Sequence, residues 1–335
     1  MHEAIETREL IVLDGLGDRL QATLHRPADR GASLYQGPAG QGRPGVLFLN
    51  SLSLPRAASG DSAVHWASSI AEQGYPAFRI DLPGLGDSEG EASPALLESI
   101  NAGDLAPAAE AAIRQLVERF GLSGVVLFGH CAGAVSAAYA AAGSRDCKGL
   151  ILLDPYFHLP QAKRPKLRRE LSDWARRSTL GRLLSLLYDY GRNFLLLLAG
   201  SQPPGNANLN LLARWKQLAA TRVPILLLKA PGIKAQGSKP RVGEFDYIAH
   251  VVKLAGRKSR VVTEFVESAD HSFANREGRE AVERHIAHWL AVNFPLANFT
   301  LSARSASPVR TANSRCEAEK SKAAPADLGC ALEGR

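Results

Sequence analysis

The sequence has few cysteines, no long uncharged apolar run and no leader-like start. Four cysteines among 335 residues are too few for a disulfide scaffold. Without about 20 consecutive apolar residues, we expect no membrane-spanning helix and no stable membrane insertion. Residues 1–6 (MHEAIE) lack the apolar core of a secretory signal, so we expect a cytoplasmic protein.

Patterns for metal and nucleotide binding are also lacking. The histidines and cysteines are scattered and do not form the ligand pattern of a metal site. The glycines at 84 and 86 (GLG) lack the third glycine of the G-x-G-x-x-G pattern, because residue 89 is Glu, and no Lys-Ser/Thr pair of a phosphate-binding loop follows. We therefore expect neither a metal nor a cofactor.

Positive charge is concentrated in one short segment. The net charge is +7, and residues 161–177 hold seven Lys/Arg against two acids. A nucleic-acid binder would carry a wider basic face or a recognisable module, so we expect no nucleic-acid partner. The segment is interpreted as a solvated helix face, with a basic entrance that attracts an anionic substrate as the alternative.

Apolar strands alternate with helical patterns along most of the chain. A hairpin is predicted over residues 7–25, and the later strands are continuous apolar runs, which is typical of a sheet buried on both faces. The sequence therefore predicts an α/β fold with a mostly parallel central sheet and helices on both faces. The later predicted strands are residues 45–50, 76–81, 124–128, 149–154, 224–229 and 260–267.

The alternation is interrupted once and stops near the C-terminus. Residues 1–154 and 223–299 are predicted to form the core, and residues 155–222 a mostly helical insertion over one end of the sheet. Within the insertion, the Leu-rich residues 180–198 fit a cap helix, with a membrane-surface helix as the alternative. Residues 300–335 lose periodicity, which predicts a disordered tail.

The segment Gly129–Gly133 (GHCAG) carries the sharpest chemical signal. It lies between an apolar strand ending at Phe128 and an Ala-rich helix starting at Ala132. A nucleophile on such a turn needs small residues two positions before and after it, because larger ones would clash with the strand and the helix. Cys131 is therefore the candidate nucleophile. The competing interpretation is a buried cysteine that only packs in a tight turn.

A nucleophilic thiol needs a general base, and His271 is the best placed of the histidines. It lies in the loop between the last predicted strand and a closing helix over residues 276–292. Apart from His130, which precedes Cys131 in the turn, the other histidines lie at the N-terminal edge, inside predicted helices or in the insertion. A lone loop histidine is usually structural, but this one lies where the architecture would deliver a base.

The sequence offers more than one candidate for the acidic residue that would orient His271. The strand over residues 224–229 is followed by no carboxylate until Glu244 and Asp246. Asp246 is the first choice, although it would also suit a helix N-cap. Glu244 and Asp154, which ends an earlier strand, are the alternatives.

Residues around the candidate nucleophile complete the predicted site. The N–H of Ala132 at a helix N-terminus, and an N–H of Ser51 or Leu52 in the loop after the third strand, are the candidate oxyanion donors. We expect three further residues at strand and insertion ends to contact the substrate, namely His130, Asn50 and His158.

The GHCAG segment, the loop DLPGLGDS (residues 81–88) and the late His271 resemble the α/β-hydrolase superfamily over about residues 5–295. Within it, the chain is similar to the capped serine-aminopeptidase-like and lysophospholipase-like group, which implies an α/β-hydrolase fold with a helical cap after strand 6. Two departures stand out. Cys131 replaces the usual serine, as in dienelactone hydrolases and some carrier-protein thioesterases, and Asn50-Ser51 replaces the usual His-Gly.

These residues predict a hydrolase that cleaves an ester, thioester or lactone through a Cys131–His271–Asp246 triad and a covalent acyl-enzyme. An acyltransferase with the same acyl-cysteine is one alternative, and a non-catalytic ligand-binding protein of this fold is another. The expected partner is a small acyl substrate, with carrier-protein-linked and CoA-linked acyl groups as candidates.

Overall fold

The computed structural model describes residues 7–27, 43–159, 178, 180, 205–231 and 245–296. Eight strands form one sheet in the order β1-β2-β4-β3-β5-β6-β7-β8. The second strand runs antiparallel to both neighbours, and the other neighbouring pairs are parallel. The strands are β1 (Thr7–Asp14), β2 (Arg19–Arg26), β3 (Gly45–Leu49), β4 (Ala77–Ile80), β5 (Val125–His130), β6 (Cys147–Leu153), β7 (Ile225–Lys229) and β8 (Val261–Phe265).

Helices cover both faces of this sheet. Alternate side chains of each central strand enter opposite cores: Leu47 and Leu127 pack on one face, Phe48 and Phe128 on the other. Because both faces are covered, the strands are continuous apolar runs. The predicted mostly parallel sheet with helices on both faces is confirmed. The helices are α1 (Ser62–Glu72), α2 (Leu96–Ala102), α3 (Ala106–Phe120), α4 (Ala132–Gly143), α5 (Leu209–Ala220), α6 (Tyr247–Ala255) and α7 (Arg276–Asn293).

The predicted cap can be compared with the structure only at its two ends. Helix α5 falls inside the predicted cap range, yet it belongs to the helical layer on the sheet. Trp215 of α5 is fully buried, and its indole N–H donates to the carbonyl of Val251 in α6 at 2.8 Å. Residues 160–177, 179 and 181–204, with most of the predicted cap and the basic segment, lie outside the described residues, as does the predicted tail over 300–335. No helix in the described part of the chain has both the length and the apolar character needed to cross a membrane.

The parallel strands end at one edge of the sheet. Neighbouring registers pair Leu49 with Gly129, His130 with Leu153, and Lys229 with Phe265. The segments that leave β3, β5, β6, β7 and β8 therefore start side by side. This edge collects the candidate site residues from distant parts of the sequence.

Candidate active site

Cys131 lies on a sharp turn between β5 and α4. Its backbone has φ 52° and ψ −113°, and its N–H donates to the carbonyl of Leu153 at 2.9 Å. The residue is partly exposed. The predicted strand-to-helix turn is therefore present, and the cysteine is not a buried packing residue.

The glycines around Cys131 are required by close backbone approaches. A Cβ on Gly129 would overlap the carbonyl of Gly133, and a Cβ on Gly133 would lie 2.5 Å from the carbonyl oxygen of Asn50. Both obstacles are backbone atoms, which cannot move away as a flexible side chain could. The second approach also brings the loop after β3 directly against the turn.

We expect Gly129→Ala to destabilise the protein by about 2–3 kcal/mol or more, because the added methyl group overpacks the turn. Chemical denaturation measures this loss. Gly205→Ala is the matched control, since a Cβ there would meet nothing within 4 Å. Equal unfolding free energies for the two variants would contradict the tight turn.

His271 connects Cys131 to a buried carboxylate. Its Nδ1 hydrogen-bonds to Oδ2 of Asp154, and its ring is close enough to Cys131 for that residue to raise the pKa of the ring. Asp154 is only 7% exposed, whereas the His271 ring is half-exposed. The hydrogen bond with Asp154, followed by the interaction with Cys131, raises the pKa of His271 to about 10. The imidazole thus lies between a thiol and a carboxylate and is hydrogen-bonded to the carboxylate, which is the order of groups needed to generate a nucleophile.

The structure does not bring Asp246 to His271. The Asp246 carboxylate accepts a hydrogen bond from the N–H of Ala249 at 2.9 Å and caps the first turn of α6. The preference for Asp246 as the acid is therefore corrected to Asp154, the sequence alternative. The Asp246 carboxylate is bonded to the first turn of α6. Asp154 directly follows β6, the strand next to β5, and therefore lies at the same edge of the sheet as Cys131. Glu244, the other alternative, lies outside the described residues.

Sequence reasoning missed Lys229, which ends β7. Its ammonium forms an ion pair with Oδ1 of Asp154, the oxygen that His271 does not use. Burial raises the pKa of Asp154, but the hydrogen bonds from His271 and Lys229 outweigh it and hold the pKa below its usual value. The sequence did contain a signal: Lys229 ends strand β7, and β7 is the neighbour of strand β6, which Asp154 directly follows.

The loop after β3 brings the second candidate oxyanion donor to the elbow. Leu52 has a left-handed backbone with φ 52°, and Ser51 accepts a hydrogen bond from the N–H of Leu54 at 3.0 Å, which closes a tight turn. The N–H groups of Ala132 and Leu52 donate none of the hydrogen bonds found among the described residues. The N–H of Ser51, the other loop candidate, likewise donates none of these hydrogen bonds, so all three predicted oxyanion donors are unused among the described residues.

Asn50 makes structural contacts in this loop, and its predicted contact with the substrate stays a prediction. The residue is 5% exposed. Its amide donates to Asp81 at 2.8 Å and to the carbonyl of Leu54 at 3.0 Å, and its Oδ1 accepts from the N–H of Leu82 at 2.7 Å. The side chain therefore ties the loop after β3 to the loop after β4.

His130 makes a structural contact with the loop that carries His271, and its predicted contact with the substrate stays a prediction. Its Nε2 lies 2.6 Å from the carbonyl oxygen of His271. Burial lowers the pKa of His130, the hydrogen bond with His271 opposing it, so the ring is neutral and Nε2–H donates to this carbonyl. His130 thus fixes the backbone of the loop that carries His271.

His158 stays a candidate for substrate contact. It forms an isolated β-bridge with Ala207, and its ring lies 5.6 Å from that of Tyr156 and 5.4 Å from that of Tyr247. Burial, followed by the charge of Lys229, lowers its pKa. Among the described residues, no group of three or more His, Cys, Asp or Glu is arranged to hold a metal ion.

Comparisons with known proteins agree with this architecture. A model of the alpha/beta hydrolase family matches residues 46–284. The Pyrococcus furiosus esterase Pf2001 is similar in structure, with a TM-score of 0.55, 12% identity, and coverage of 86% of this chain and 92% of that chain. The alpha/beta hydrolase GrgF from Penicillium sp. sh18 gives a TM-score of 0.52 at 15% identity, covering 87% of this chain and 100% of that chain. At these identities the structural matches show the shared fold, and the search of curated proteins found no match.

Proposed function

Since the chain belongs to the alpha/beta hydrolase family, we propose that it hydrolyses an ester, thioester or lactone through a Cys131–His271–Asp154 triad. The observation that carries the proposal is the His271 imidazole, which is hydrogen-bonded to the buried Asp154 carboxylate and interacts with the partly exposed Cys131 thiol. The finer resemblance to the capped serine-aminopeptidase-like and lysophospholipase-like group is kept within the proposal. It rests on the long segment between β6 and β7.

The reaction uses two half-cycles. His271 takes the thiol proton, and the sulfur of Cys131 attacks the carbonyl carbon. The N–H groups of Ala132 and Leu52 stabilise the oxyanion, each worth about 3 kcal/mol in comparable sites. The tetrahedral intermediate breaks its bond to the leaving group, which receives the proton from His271. His271 then deprotonates a water molecule, which attacks the acyl-cysteine, and the sulfur leaves as the carboxylic acid is released.

The electrostatics of the site suit sulfur. Because the pKa of His271 is raised to about 10, its ring retains at neutral pH the proton that it takes from Cys131. A cation within hydrogen-bond reach favours the thiolate, which is the nucleophilic form of cysteine. Asp154 stabilises this imidazolium and selects the ring orientation.

The proposal is tested by intact-mass spectrometry after exposure to a panel of acyl thioesters and activated esters. We expect an acyl adduct that peptide mapping places on Cys131 and that disappears with time as water clears it. An absence of adduct and of turnover across the panel would favour the non-catalytic ligand-binding alternative.

Iodoacetamide labelling at pH 6.5 checks the ion pair without any substrate. We expect Cys131 to react at least about tenfold faster than N-acetylcysteine, and His271→Gln to remove this advantage. Cys147 is the internal control, because burial raises the pKa of its thiol to about 12 and keeps it unreactive. Labelling of Cys131 at the N-acetylcysteine rate would contradict the activated thiol.

A further inference from the structure

Two basic side chains share one carboxylate in the site. Oδ2 of Asp154 is bonded to Nδ1 of His271, and Oδ1 forms an ion pair with the ammonium of Lys229. Each oxygen of the carboxylate therefore has a partner of its own. A carboxylate that orients a general-base histidine needs only the first of these contacts. The second contact calls for an explanation.

The backbone around Lys229 is held on both sides. The N–H of Asp154 donates to the carbonyl of Leu228 at 2.7 Å, and the N–H of Val266 donates to the carbonyl of Lys229 at 2.9 Å. Val266 begins the segment that leads from β8 to His271. The Asp154 side chain is 7% exposed and that of Lys229 is 33% exposed. The ammonium thus meets a carboxylate that is almost fully shielded from water, where an ion pair acts more strongly than at the surface.

We propose that Lys229 is a positioning residue that weakens the hold of Asp154 on the His271 proton, so that the imidazole is free to deprotonate water in the second half of the reaction. This inference rests on the proposed function. The carboxylate attracts the proton of an imidazolium, and an ammonium on its other oxygen cancels part of that attraction. Because the two basic groups bind different oxygens, the lysine offsets the charge of the carboxylate without blocking its contact with the ring.

The two halves of the reaction make opposite demands on the imidazole. In the first half, His271 takes the proton of Cys131, and a strong pull from Asp154 helps. In the second half, water loses a proton to His271 while its oxygen bonds to the acyl carbon, and the C–S bond breaks with its electron pair on sulfur. The ring must be neutral before that step. An imidazole that kept its proton too firmly would stop the cycle at the acyl-cysteine.

The other titratable groups of the site do not supply a positive charge. The sulfur of Cys131 is neutral once it is acylated. Burial lowers the pKa of both His130 and His158, so these rings are neutral at pH 7. Asp270 is exposed and adds a negative charge. Among the described residues of the site, Lys229 is therefore the cation that offsets the carboxylate.

The test is an NMR titration of the His271 ring in Cys131→Ala, which lacks a thiolate as the acyl-enzyme does. We expect added Lys229→Met to raise the pKa of the ring by about one pH unit or more, and Lys229→Arg to restore it. Lys229→Gln, which keeps an N–H toward the carboxylate without the charge, carries the test if the methionine variant does not fold. Lys216→Met, on the exposed side of α5, is the matched control and should leave the pKa unchanged.

Mass spectrometry of the acyl adduct with Cys131 intact gives the second readout. We expect Lys229→Met to accumulate acyl-Cys131 at pH 7, with deacylation about tenfold slower than in the wild type and recovering as the pH rises. A folded Lys229→Met with a lower Tm but an unchanged His271 titration and deacylation profile would overturn the inference and leave the triad standing. If no acyl donor modifies Cys131 in the wild type, the proposed function itself fails.

Discussion

Replacing Cys131 with alanine should abolish turnover of activated esters and thioesters, with a loss of about 10⁴-fold or more. The variant removes the only atom of the triad that bonds to the acyl group. The stability of the variant should change little, because alanine and cysteine are equally strained by the left-handed backbone conformation at this position (φ 52°). Initial rates with an activated ester, together with a thermal melt, measure both effects.

Cys147→Ala is the matched control for this experiment. Cys147 is buried at the start of β6, and its thiol donates to the carbonyl of Gly149 at 3.4 Å. We expect the control to retain turnover per folded molecule and to lose only a little stability. Residual activity at the wild-type level in Cys131→Ala would refute the nucleophile.

The second large effect is expected for Asp154→Asn, which should lower turnover by about 10³- to 10⁴-fold. An amide cannot stabilise the imidazolium, and it favours the wrong ring tautomer. The ordinary pKa of His271 is 6.5, and its contacts raise it to about 10. A raised pKa stabilises the fold fully below pH 6.5 and loses this contribution as the pH rises through about 10. The stability advantage of the wild type over Asp154→Asn should therefore shrink across this range, as urea denaturation at several pH values would show.

Asp246→Asn makes the same chemical change at the residue that the sequence favoured. Asparagine caps a helix about as well as aspartate, so the change in stability should stay within about 0.5 kcal/mol. Turnover should also be unaffected, because the Asp246 carboxylate is bonded to Ala249. Loss of activity in this variant, with Asp154→Asn active, would reverse our assignment of the acid.

Much of the fold could be predicted from the sequence, because strands that are buried on both faces of a sheet are continuous apolar runs. Residues 45–50 and 124–128 are examples, and both are strands in the structure. The turn at Cys131 could be predicted too, since close backbone approach requires the glycines at 129 and 133. These signals are local, and a single sequence contains them in full.

The polar contacts of the site could not be predicted in the same way. Asp246 carries a valid local signal, that of a helix cap, and the structure uses it for that purpose. The contact of Asp154 with His271 joins residues 117 positions apart, and its contact with Lys229 spans 75. Asn50 ends a strand beside the site, but whether it bonds to the loops or to a substrate depends on where Asp81 lies. Such pairings are decided by the packing of neighbouring strands.

The ion pair between Lys229 and Asp154 has a consequence for substrate choice. In the proposed ion-pair state, the Cys131 thiolate and the His271 imidazolium cancel each other, and the Asp154 carboxylate and the Lys229 ammonium do the same. After acylation the thioester and a neutral imidazole replace the first pair, and the balance is preserved. A triad without the lysine would carry one excess negative charge throughout its cycle and would repel anionic molecules. With Lys229 in place, a phosphate- or carboxylate-bearing acyl donor approaches these four groups without that barrier.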